Sequence, residues 1–338
     1  MNPLDHTLQT HLPNLCAVDS SAELQSLPLY RQLKPSIDGI LGFVLTGEGA
    51  SGRQPLLPHL RATAWNIERG IELRGIIEAI RQHPTISVSD LLLGQEYAQS
   101  QGVQVPFAIE GAHSIALPNG KDKMRGKEKR LGCQRAVIAI VEHPFGRFRA
   151  VSVHLDAHST QKHRMRQMRL VLDDLDRFHP ELPVLVGGDW NTSTYNSRTA
   201  LFSILGYVRR VLMGVRHVIR SHYPYPDRWF ERHLFREIER RGYVYRELNE
   251  PGACTLHYDV ADLAANGRMA DWIPNWCFWF INWALAKNDG RCSFKLDWFA
   301  AKGIEPVAEY PPHVVTDVSA PDLLLSDHDP IVLDFRLV

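Results

Sequence analysis

From Arg61 onward, short apolar runs alternate with amphipathic segments. The stretches "RATAWN" and "DLLLGQEY" predict buried strands, because aliphatic and aromatic residues fill them and polar or turn-forming residues follow them. Between them, "IELRGIIEAIRQH" repeats apolar residues every three or four positions, which predicts a helix. A strand–helix–strand order therefore begins near residue 61.

The middle of the chain continues this order with a hairpin. "QRAVIAIVEHPFGRFRAVSV" predicts two strands joined by a turn at His143–Gly146. "TQKHRMRQMRLVLDDLDRF" predicts a helix, and "LPVLVGGD" predicts a further buried strand. Strands outnumber helices here and some are joined by hairpins. We therefore expect an α/β fold with mixed, largely antiparallel sheets flanked by helices, rather than a doubly wound parallel sheet.

The pattern divides the chain into regions. The pattern over residues 1–60 predicts an N-terminal appendage with two short helices, Ala22–Leu33 and Ser36–Leu45, followed by a Gly/Ser/Pro-rich joint. Residues 61–338 predict the main domain. Within it, the strand pattern gives way at about 196–291 to basic and aromatic helical segments, which predicts an insertion.

Composition and charge narrow the function classes. The 338 residues carry no net charge, with 44% hydrophobic and 22% charged residues, so any affinity for polyanions must come from local patches. The five cysteines are scattered without a C-x-x-C pair, which argues against a disulfide framework or a zinc site. No signal peptide or transmembrane run is evident, so we expect a soluble, cytoplasmic protein.

Hydrogen-bonding side chains end several of the predicted strands. They are Asn66, Glu68, Glu96, His154, Asp189, Asn191, Asp297, Asp327 and His328. A single Asn or Asp at a strand end is more often a turn-former that bonds its own backbone. If these strands are neighbours, however, the side chains converge at one edge. Carboxylate and amide oxygens without a thiolate suit Mg²⁺ or Mn²⁺, and such a site favours a phosphate ligand.

These residues also carry a resemblance. The segments "WNIERG", "LLLGQEY", "VSVHLDAHSTQKHRMRQ", "LVGGDWNTS", "KLDWF" and "LSDHDP", in this order, resemble the endonuclease/exonuclease/phosphatase superfamily. The resemblance extends from about Arg61 to Val338, and the 196–291 region matches poorly. It implies a deoxyribonuclease-like four-layer α/β/β/α sandwich and a metal-dependent phosphoric ester hydrolase.

The resemblance also implies a role for each residue at the metal. Glu96 would be the principal Mg²⁺ ligand, with Asn66 and Glu68 beside it, and Asp327 would assist on the same side. Glu68 stands where several nuclease relatives have Asp, which should still bind metal with a longer reach. The segment "LGCQRAVIAI" stands where many relatives carry a "GNAIL"-type segment.

The remaining implied roles concern the phosphate and the attacking water. Asp189 would orient or deprotonate the water, and Asn191 would hold a phosphate oxygen. His328 would contact the scissile phosphate with Asp297 as its carboxylate partner, and His154 would face the phosphate from the opposite flank.

Two further residues are candidates for binding substrate. Arg164 and Gln167 stand at the superfamily's R-x-x-Q spacing, on the helix that follows the His154 strand. The alternative is a solvated basic helix face shared with other lysines and arginines.

The substrate class stays open at this stage. A phosphodiesterase acting on nucleic acid is the leading hypothesis, and the basic stretch Lys121–Arg130 would track the backbone unless it is simply an exposed loop. A phospholipid or inositol-phosphate hydrolase of the sphingomyelinase or inositol phosphatase type is the alternative. A non-catalytic phosphate-binding module is disfavoured, because a decayed site would typically lose at least one of these residues. No protein partner can be inferred.

The aromatic segment Trp272–Trp283 belongs to the same question. Its rings could stack bases or enter a membrane interface. The helical spacing of Trp276, Phe280 and Trp283 instead favours an ordinary helix packed over the sandwich.

Overall fold

The computed structural model of the chain describes residues 7–18, 21–44, 54–97, 100–120, 131–192, 200–261, 276–319 and 323–338. The strands are β1 (Leu60–Asn66), β2 (Leu91–Tyr97), β3 (Ser100–Gln104), β4 (Ala108–Leu117), β5 (Gln134–His143), β6 (Gly146–Val153), β7 (Val184–Asp189), β8 (Leu256–Asp259), β9 (Arg291–Phe294), β10 (Asp297–Lys302), β11 (Ile304–Pro306), β12 (His313–Val314) and β13 (Ile331–Leu337). The helices are α1 (Leu12–Cys16), α2 (Ser21–Ser26), α3 (Pro28–Gly42), α4 (Leu73–Gln82), α5 (Gln161–Leu175), α6 (Ala200–Leu212), α7 (Val215–Ser221), α8 (Arg232–Arg240) and α9 (Trp276–Leu285).

Two mixed sheets form the centre of the fold. The first has the order β11-β13-β1-β2-β3 with β12 also on β13, and the second has the order β10-β7-β6-β5-β4. Each sheet contains one parallel pair, β1 with β2 and β6 with β7, and its other described pairs are antiparallel. The expectation of mixed, largely antiparallel sheets is confirmed.

Three apolar layers hold the sheets and helices together. Between the sheets, residues such as Leu93, Leu185 and Phe299 pack face to face. Outside the second sheet, α5 and α8 bury their apolar faces against it, and outside the first sheet Ile76 of α4 packs on Trp65. Helices therefore cover both outer faces, which confirms the predicted four-layer α/β/β/α sandwich.

The N-terminal region packs beside β4, the edge strand of the second sheet. Leu131 joins its small core, the Tyr30 hydroxyl donates to the Leu131 carbonyl, and the Ser114 hydroxyl of β4 donates to the Gly42 carbonyl. A helix beside an edge strand shields that strand from pairing with another chain. The boundary near residue 60 stays a prediction.

The two predicted N-terminal helices have different limits in the structure. The chain turns at Leu27, whose extended conformation precedes Pro28, and α3 then runs through Pro35 to Gly42. The prediction was wrong in ending a helix ahead of Pro35. A proline inside a helix removes one backbone hydrogen bond, and the buried face with Tyr30 and Ile37 offsets this loss.

The 196–291 region contributes to two different cores. Leu234 and Phe235 of α8, followed by Tyr243 and Tyr245, complete the helical layer over the second sheet, and Val244 forms a bridge to Ala301 of β10. By contrast, α7, α9 and the β8–β9 hairpin share a small separate core. The aromatic helix α9 thus packs within this smaller unit instead of over the sandwich. No helix among the described residues is both long and apolar enough to cross a membrane.

Candidate active site

Six strand ends from both sheets meet at one edge of the sandwich. The parallel pairs place the carboxyl ends of β1, β2, β6 and β7 there, and β13 and β10 begin there because they are antiparallel to β1 and β7. The side chains brought together are Asn66, Glu96, His154, Asp189, Asp297 and His328. The predicted convergence of polar strand ends is therefore present in the structure.

The carboxylate of Asp189 lies at the centre of this cluster. Its Oδ2 atom accepts hydrogen bonds from Asn66 Nδ2 at 3.0 Å and Asn191 Nδ2 at 3.1 Å. The same oxygen lies 3.4 Å from His154 Nε2 and 3.9 Å from His328 Nε2. One carboxylate oxygen thus faces two amides and two imidazoles from four different strand ends.

The neighbouring carboxylates separate the protonation behaviour of the two imidazoles. For His154, burial disfavours the charged ring and lowers its pKa, although the Asp189 charge opposes this. For His328, burial acts in the same direction, but the carboxylates of Asp297 and Asp189 outweigh it and raise its pKa well above the usual value. Burial also raises the pKa of Asp189 to about 6, with the His328 charge opposing. The site therefore pairs a neutral imidazole with an imidazolium.

A second carboxylate holds the imidazolium in place. His328 Nδ1 lies 2.8 Å from Asp297 Oδ2, and Asp297 stands directly opposite Asp189 in the β10–β7 register. The Thr255 hydroxyl donates to the same Asp297 oxygen at 2.5 Å and accepts from the backbone N–H groups of Leu296 and Asp297. Thr255 was missed in the sequence, because a lone threonine in the poorly matching region gives no signal.

The loop that carries His328 is tied to the end of β1. The Ser326 hydroxyl donates to the Asn66 carbonyl at 2.6 Å and accepts from the His328 backbone N–H. The Trp65 indole N–H donates to the His328 carbonyl at 2.9 Å. These bonds compensate the polar interruption in "LLLSDHDPIVLDF", which leads into β13.

The oxygen-rich side of the cluster fits a hard cation. Asn66 Nδ2 lies 3.3 Å from Glu96 Oε1, and Asn66 Oδ1 accepts the Glu68 backbone N–H. Glu68 Oε2 accepts the Asp327 backbone N–H, which brings Glu68 and Asp327 together. Asn66, Glu68 and Glu96 offer carboxylate and amide oxygens with no sulfur, the donor types that Mg²⁺ or Mn²⁺ prefers, and Asp327 joins this group through its backbone N–H.

Three residues of the site have a strained backbone conformation. Glu68 (φ 46°), Glu96 (φ 60°) and Asn191 (φ 52°) have left-handed conformations, which few non-glycine residues adopt. At Glu96 the β2–β3 pairing also shifts register between Gly94 and Tyr97. Such strain costs on the order of 1–3 kcal/mol per residue and concentrates at functional sites, so the fold sacrifices stability to hold these side chains here.

Among the described residues, the group of titratable side chains whose ligand atoms lie close enough together to hold a metal ion is a different one. Atoms of Asp189, Asp297 and His328 lie within 4.8 Å of one another, close enough to hold a metal ion. Because His328 Nδ1 is already bonded to Asp297, only Nε2 of this imidazole faces Asp189. This arrangement suits a catalytic carboxylate–imidazole pair at least as well as a metal site.

Arg164 and Gln167 are not placed to contact a substrate. Arg164 is fully buried, where its guanidinium is paired with Glu231 and donates to the Ser159 carbonyl. Gln167 accepts the Asp156 backbone N–H and donates to the Pro118 carbonyl. Both the substrate-binding hypothesis and the solvated-face alternative are therefore corrected, because these side chains brace the loop that follows His154.

Asn191 is also used differently from the expectation. Its amide donates to the Leu155 carbonyl at 2.9 Å and to Asp189 Oδ2, and its backbone N–H donates to Asp189 Oδ1. Both amide N–H bonds are directed at protein oxygens, so in this arrangement Asn191 orients Asp189 instead of offering a donor to phosphate.

Two sequence features lie wholly or partly outside the described residues. The basic stretch Lys121–Arg130 is outside them, and of the segment Trp272–Trp283 the structure describes the helix from Trp276 onward.

Several solved structures match this chain at low sequence identity. An endonuclease/exonuclease/phosphatase from Bacteroides vulgatus matches with a TM-score of 0.49 and 14% identity, over 83% of this chain and 100% of that chain. D. rerio TDP2 complexed with a single-strand DNA product matches with a TM-score of 0.47 and 13% identity, over 82% and 99% of the two chains. The human Nocturnin catalytic domain with bound sulfate gives 0.41 and 15%, over 84% and 97%. No protein-family model and no curated protein sequence matches this chain.

Proposed function

We propose that this chain is a metal-dependent phosphoester hydrolase that cleaves phosphodiesters, with nucleic acid as its leading substrate class. The supporting observation is the placement of Asp189 Oδ2 against two amides and two imidazoles at an edge that also presents Glu96 and Glu68. Attack of water on phosphorus needs a proton acceptor, cationic donors and charge compensation at one point, and this edge supplies all three.

The metal would be Mg²⁺, with Mn²⁺ as a substitute. Glu96, Glu68, Asn66 and Asp327 would hold it; in support, Asn66 lies beside Glu96 and Glu68, and the Glu68 carboxylate accepts the Asp327 backbone N–H. When bound, the cation would offset the repulsion between the carboxylates and polarise a phosphoryl oxygen.

The protein groups divide the remaining work. Asp189 Oδ2 accepts the proton of the attacking water, and Asn66 and Asn191 keep this oxygen pointed into the site. The His328 imidazolium donates from Nε2 to a non-bridging phosphoryl oxygen, where negative charge accumulates. The new P–O bond forms as the bond to the leaving oxygen breaks, and the released alcohol takes a proton from solvent.

A phospholipid or an inositol phosphate is the second candidate substrate. The observation that favours a lipid is the exposed surface of α6 and α9, where Leu201, Phe202 and Trp279 face solvent. The site itself recognises a phosphoester and does not distinguish these classes.

The test is hydrolysis of a substrate panel with and without EDTA. The panel contains single- and double-stranded DNA, RNA, sphingomyelin vesicles, an inositol polyphosphate and bis-p-nitrophenyl phosphate. We expect metal-dependent product release that Glu96→Gln and His328→Ala abolish, while Glu305→Gln, an exposed carboxylate on β11, stays active. Hydrolysis that survives EDTA, or that either active-site variant retains, would contradict the proposal.

A further inference from the structure

The segment between α7 and α8 holds an indole ring in a fixed position at the protein surface. Trp229 stacks on the buried His222, with ring centres 4.1 Å apart and an angle of 25° between the ring planes. The indole N–H donates to the Ser221 carbonyl at 3.1 Å. Although these contacts fix the ring, Trp229 is 52% exposed. A surface ring that is already oriented can stack on another planar ring with little further loss of side-chain freedom.

An arginine next to this indole is placed to bind an anion. Arg228 is exposed, and its guanidinium lies 4.7 Å from the centre of the Tyr225 ring. The two acidic residues of this segment are directed to other partners. Asp227 accepts a hydrogen bond from the Tyr245 hydroxyl at 3.4 Å, and Glu231 is buried against Arg164. We call Trp229, His222 and Arg228 the Trp229 platform.

The segment that carries the Trp229 platform borders the catalytic edge. Near one end, the Tyr223 carbonyl accepts the backbone N–H of Lys295, two residues before Asp297. At the other end, Glu231 pairs with Arg164, which braces the loop that follows His154. Residues 223–231 therefore run along the rim of the second sheet, beside the strand ends that carry the site. A polymer held at the catalytic edge can extend over this rim.

We propose that the Trp229 platform binds an unpaired base and the adjoining phosphate of a single-stranded nucleic acid. The base stacks on the exposed part of the indole, and the Arg228 guanidinium donates to a phosphate oxygen. This inference rests on the proposed function and narrows its substrate class to single strands, because a base within a duplex is already stacked between its neighbours. DNA and RNA share the base and phosphate chemistry that this site recognises.

The neighbours of Trp229 disfavour a membrane as the occupant of this surface. The exposed residues beside it, Arg228, Arg232 and His233, are polar, whereas a segment that enters a bilayer interface needs several apolar side chains on one face. The indole N–H is also already bonded within the protein.

The experiment is fluorescence anisotropy of labelled single-stranded DNA, single-stranded RNA and duplex DNA of equal length. The full chain is used in EDTA, so that binding is measured without turnover. We expect single strands to bind more tightly than the duplex. Trp229→Ala should weaken single-strand binding by about 5-fold to 150-fold, the usual effect of losing one base stack, and Trp229→Phe should retain most of the affinity. Such a loss with either DNA or RNA supports the proposal and identifies the polymer.

Arg228→Gln tests the phosphate contact. It should lower single-strand affinity and reduce the slope of log K against log salt concentration by about 0.7, the value for one phosphate contact on a single strand. Matched controls lie away from the platform. Phe145→Ala in the β5–β6 turn and Arg81→Gln on α4 change exposed residues of similar type and should bind single strands as the wild type does.

Turnover of bis-p-nitrophenyl phosphate separates this proposal from the proposed function, because this substrate carries no nucleobase. The Trp229 and Arg228 variants should turn it over at the wild-type rate and keep the wild-type melting temperature. If the wild type itself shows no turnover, the proposed function fails. If turnover is present and Trp229→Ala binds single strands as the wild type does, only the present inference fails.

Three further outcomes would overturn the inference. They are a wild type that binds no single strand, an equal loss of binding in Phe145→Ala, and a duplex that binds as tightly as single strands and is weakened equally by Trp229→Ala. A concentration-dependent dimer that Trp229→Ala dissolves would instead assign the indole to a contact between two copies of the chain.

Discussion

His328 Nδ1 lies 2.8 Å from Asp297 Oδ2, and both side chains are buried. The carboxylate fixes the orientation of the ring and stabilises its positive charge, so Nε2 is the atom left to face Asp189 and a phosphate. If His328 is the donor to the phosphoryl group, Asp297 determines whether that donor is present and correctly aimed.

Asp297→Asn should therefore lower kcat by about 10²-fold to 10³-fold, the usual loss when one hydrogen-bond donor to developing transition-state charge is removed, with little change in KM. Steady-state kinetics on bis-p-nitrophenyl phosphate measures both constants. Asp329→Asn is the matched control, since this neighbouring carboxylate pairs with His257 instead. A kcat within a few-fold of wild type for Asp297→Asn would remove the pair from the catalytic machinery.

Thr255 should act on catalysis through Asp297. Thr255→Val keeps the shape but removes the hydroxyl that donates to Asp297 Oδ2, so we expect kcat to fall about tenfold, the range for one hydrogen bond to a charged group. Thr255→Ser restores the hydroxyl and should recover most of kcat. A melting temperature that falls for Thr255→Val while kcat stays at the wild-type value would make Thr255 purely structural.

The sequence allowed the strand ends of the site to be predicted because their positions obey local rules. Asn66, Glu96 and Asp189 each end an apolar run, and parallel neighbours such as β1–β2 and β6–β7 bring their carboxyl ends to one edge. The same logic located His154 and Asp297. Their catalytic roles stay predictions.

The sequence could not show which side chains contact each other when they lie far apart along the chain. Thr255 meets Asp297 across 42 residues, and Arg164 meets Glu231 across 67. Helical spacing placed Arg164 on a helix, but it does not say which face is buried, so the burial of this arginine needed the three-dimensional packing. For Asn191, the residue type identified a member of the site. The direction of its amide follows from the left-handed backbone conformation after β7, which the sequence does not show.

The buried pair of Arg164 and Glu231 should dominate the stability of the helical layer. Burial raises the pKa of Glu231 to about 7, and the Arg164 charge opposes this rise. Glu231→Gln leaves the guanidinium buried without a counter-charge, so we expect a loss of about 3–5 kcal/mol in the free energy of unfolding. Urea denaturation at neutral pH measures it.

The double variant Arg164→Met with Glu231→Leu removes both charges and should recover a large part of that loss, because apolar pairs of similar volume often replace buried ion pairs without penalty. A Glu231→Gln variant that loses less than about 1 kcal/mol would show that Glu231 is already protonated in the wild type, and that the contact with Arg164 is an ordinary hydrogen bond.

Glu237 of α8 should make stability depend on acid pH. Its carboxylate accepts hydrogen bonds from Arg240 at 2.7 Å and Arg169 at 3.1 Å. Burial opposes ionisation of this carboxylate, but the two arginines outweigh it and lower its pKa to about 2 from the usual 4.5. Because the folded-state pKa lies below the unfolded one, the contribution is complete above pH 4.5 and is lost as the pH falls toward 2. Glu237→Gln should thus lower the free energy of unfolding by about 1–2 kcal/mol at pH 7, a value reduced by the solvent exposure of the arginines, and by almost nothing at pH 2.

Denaturation of the wild type and of Glu237→Gln across this pH range gives the difference. Glu239→Gln is the control: its pair with Arg246 is exposed, so this variant should change little at any pH. A Glu237→Gln deficit of equal size at both pH values would mean that the side chain contributes through packing rather than charge.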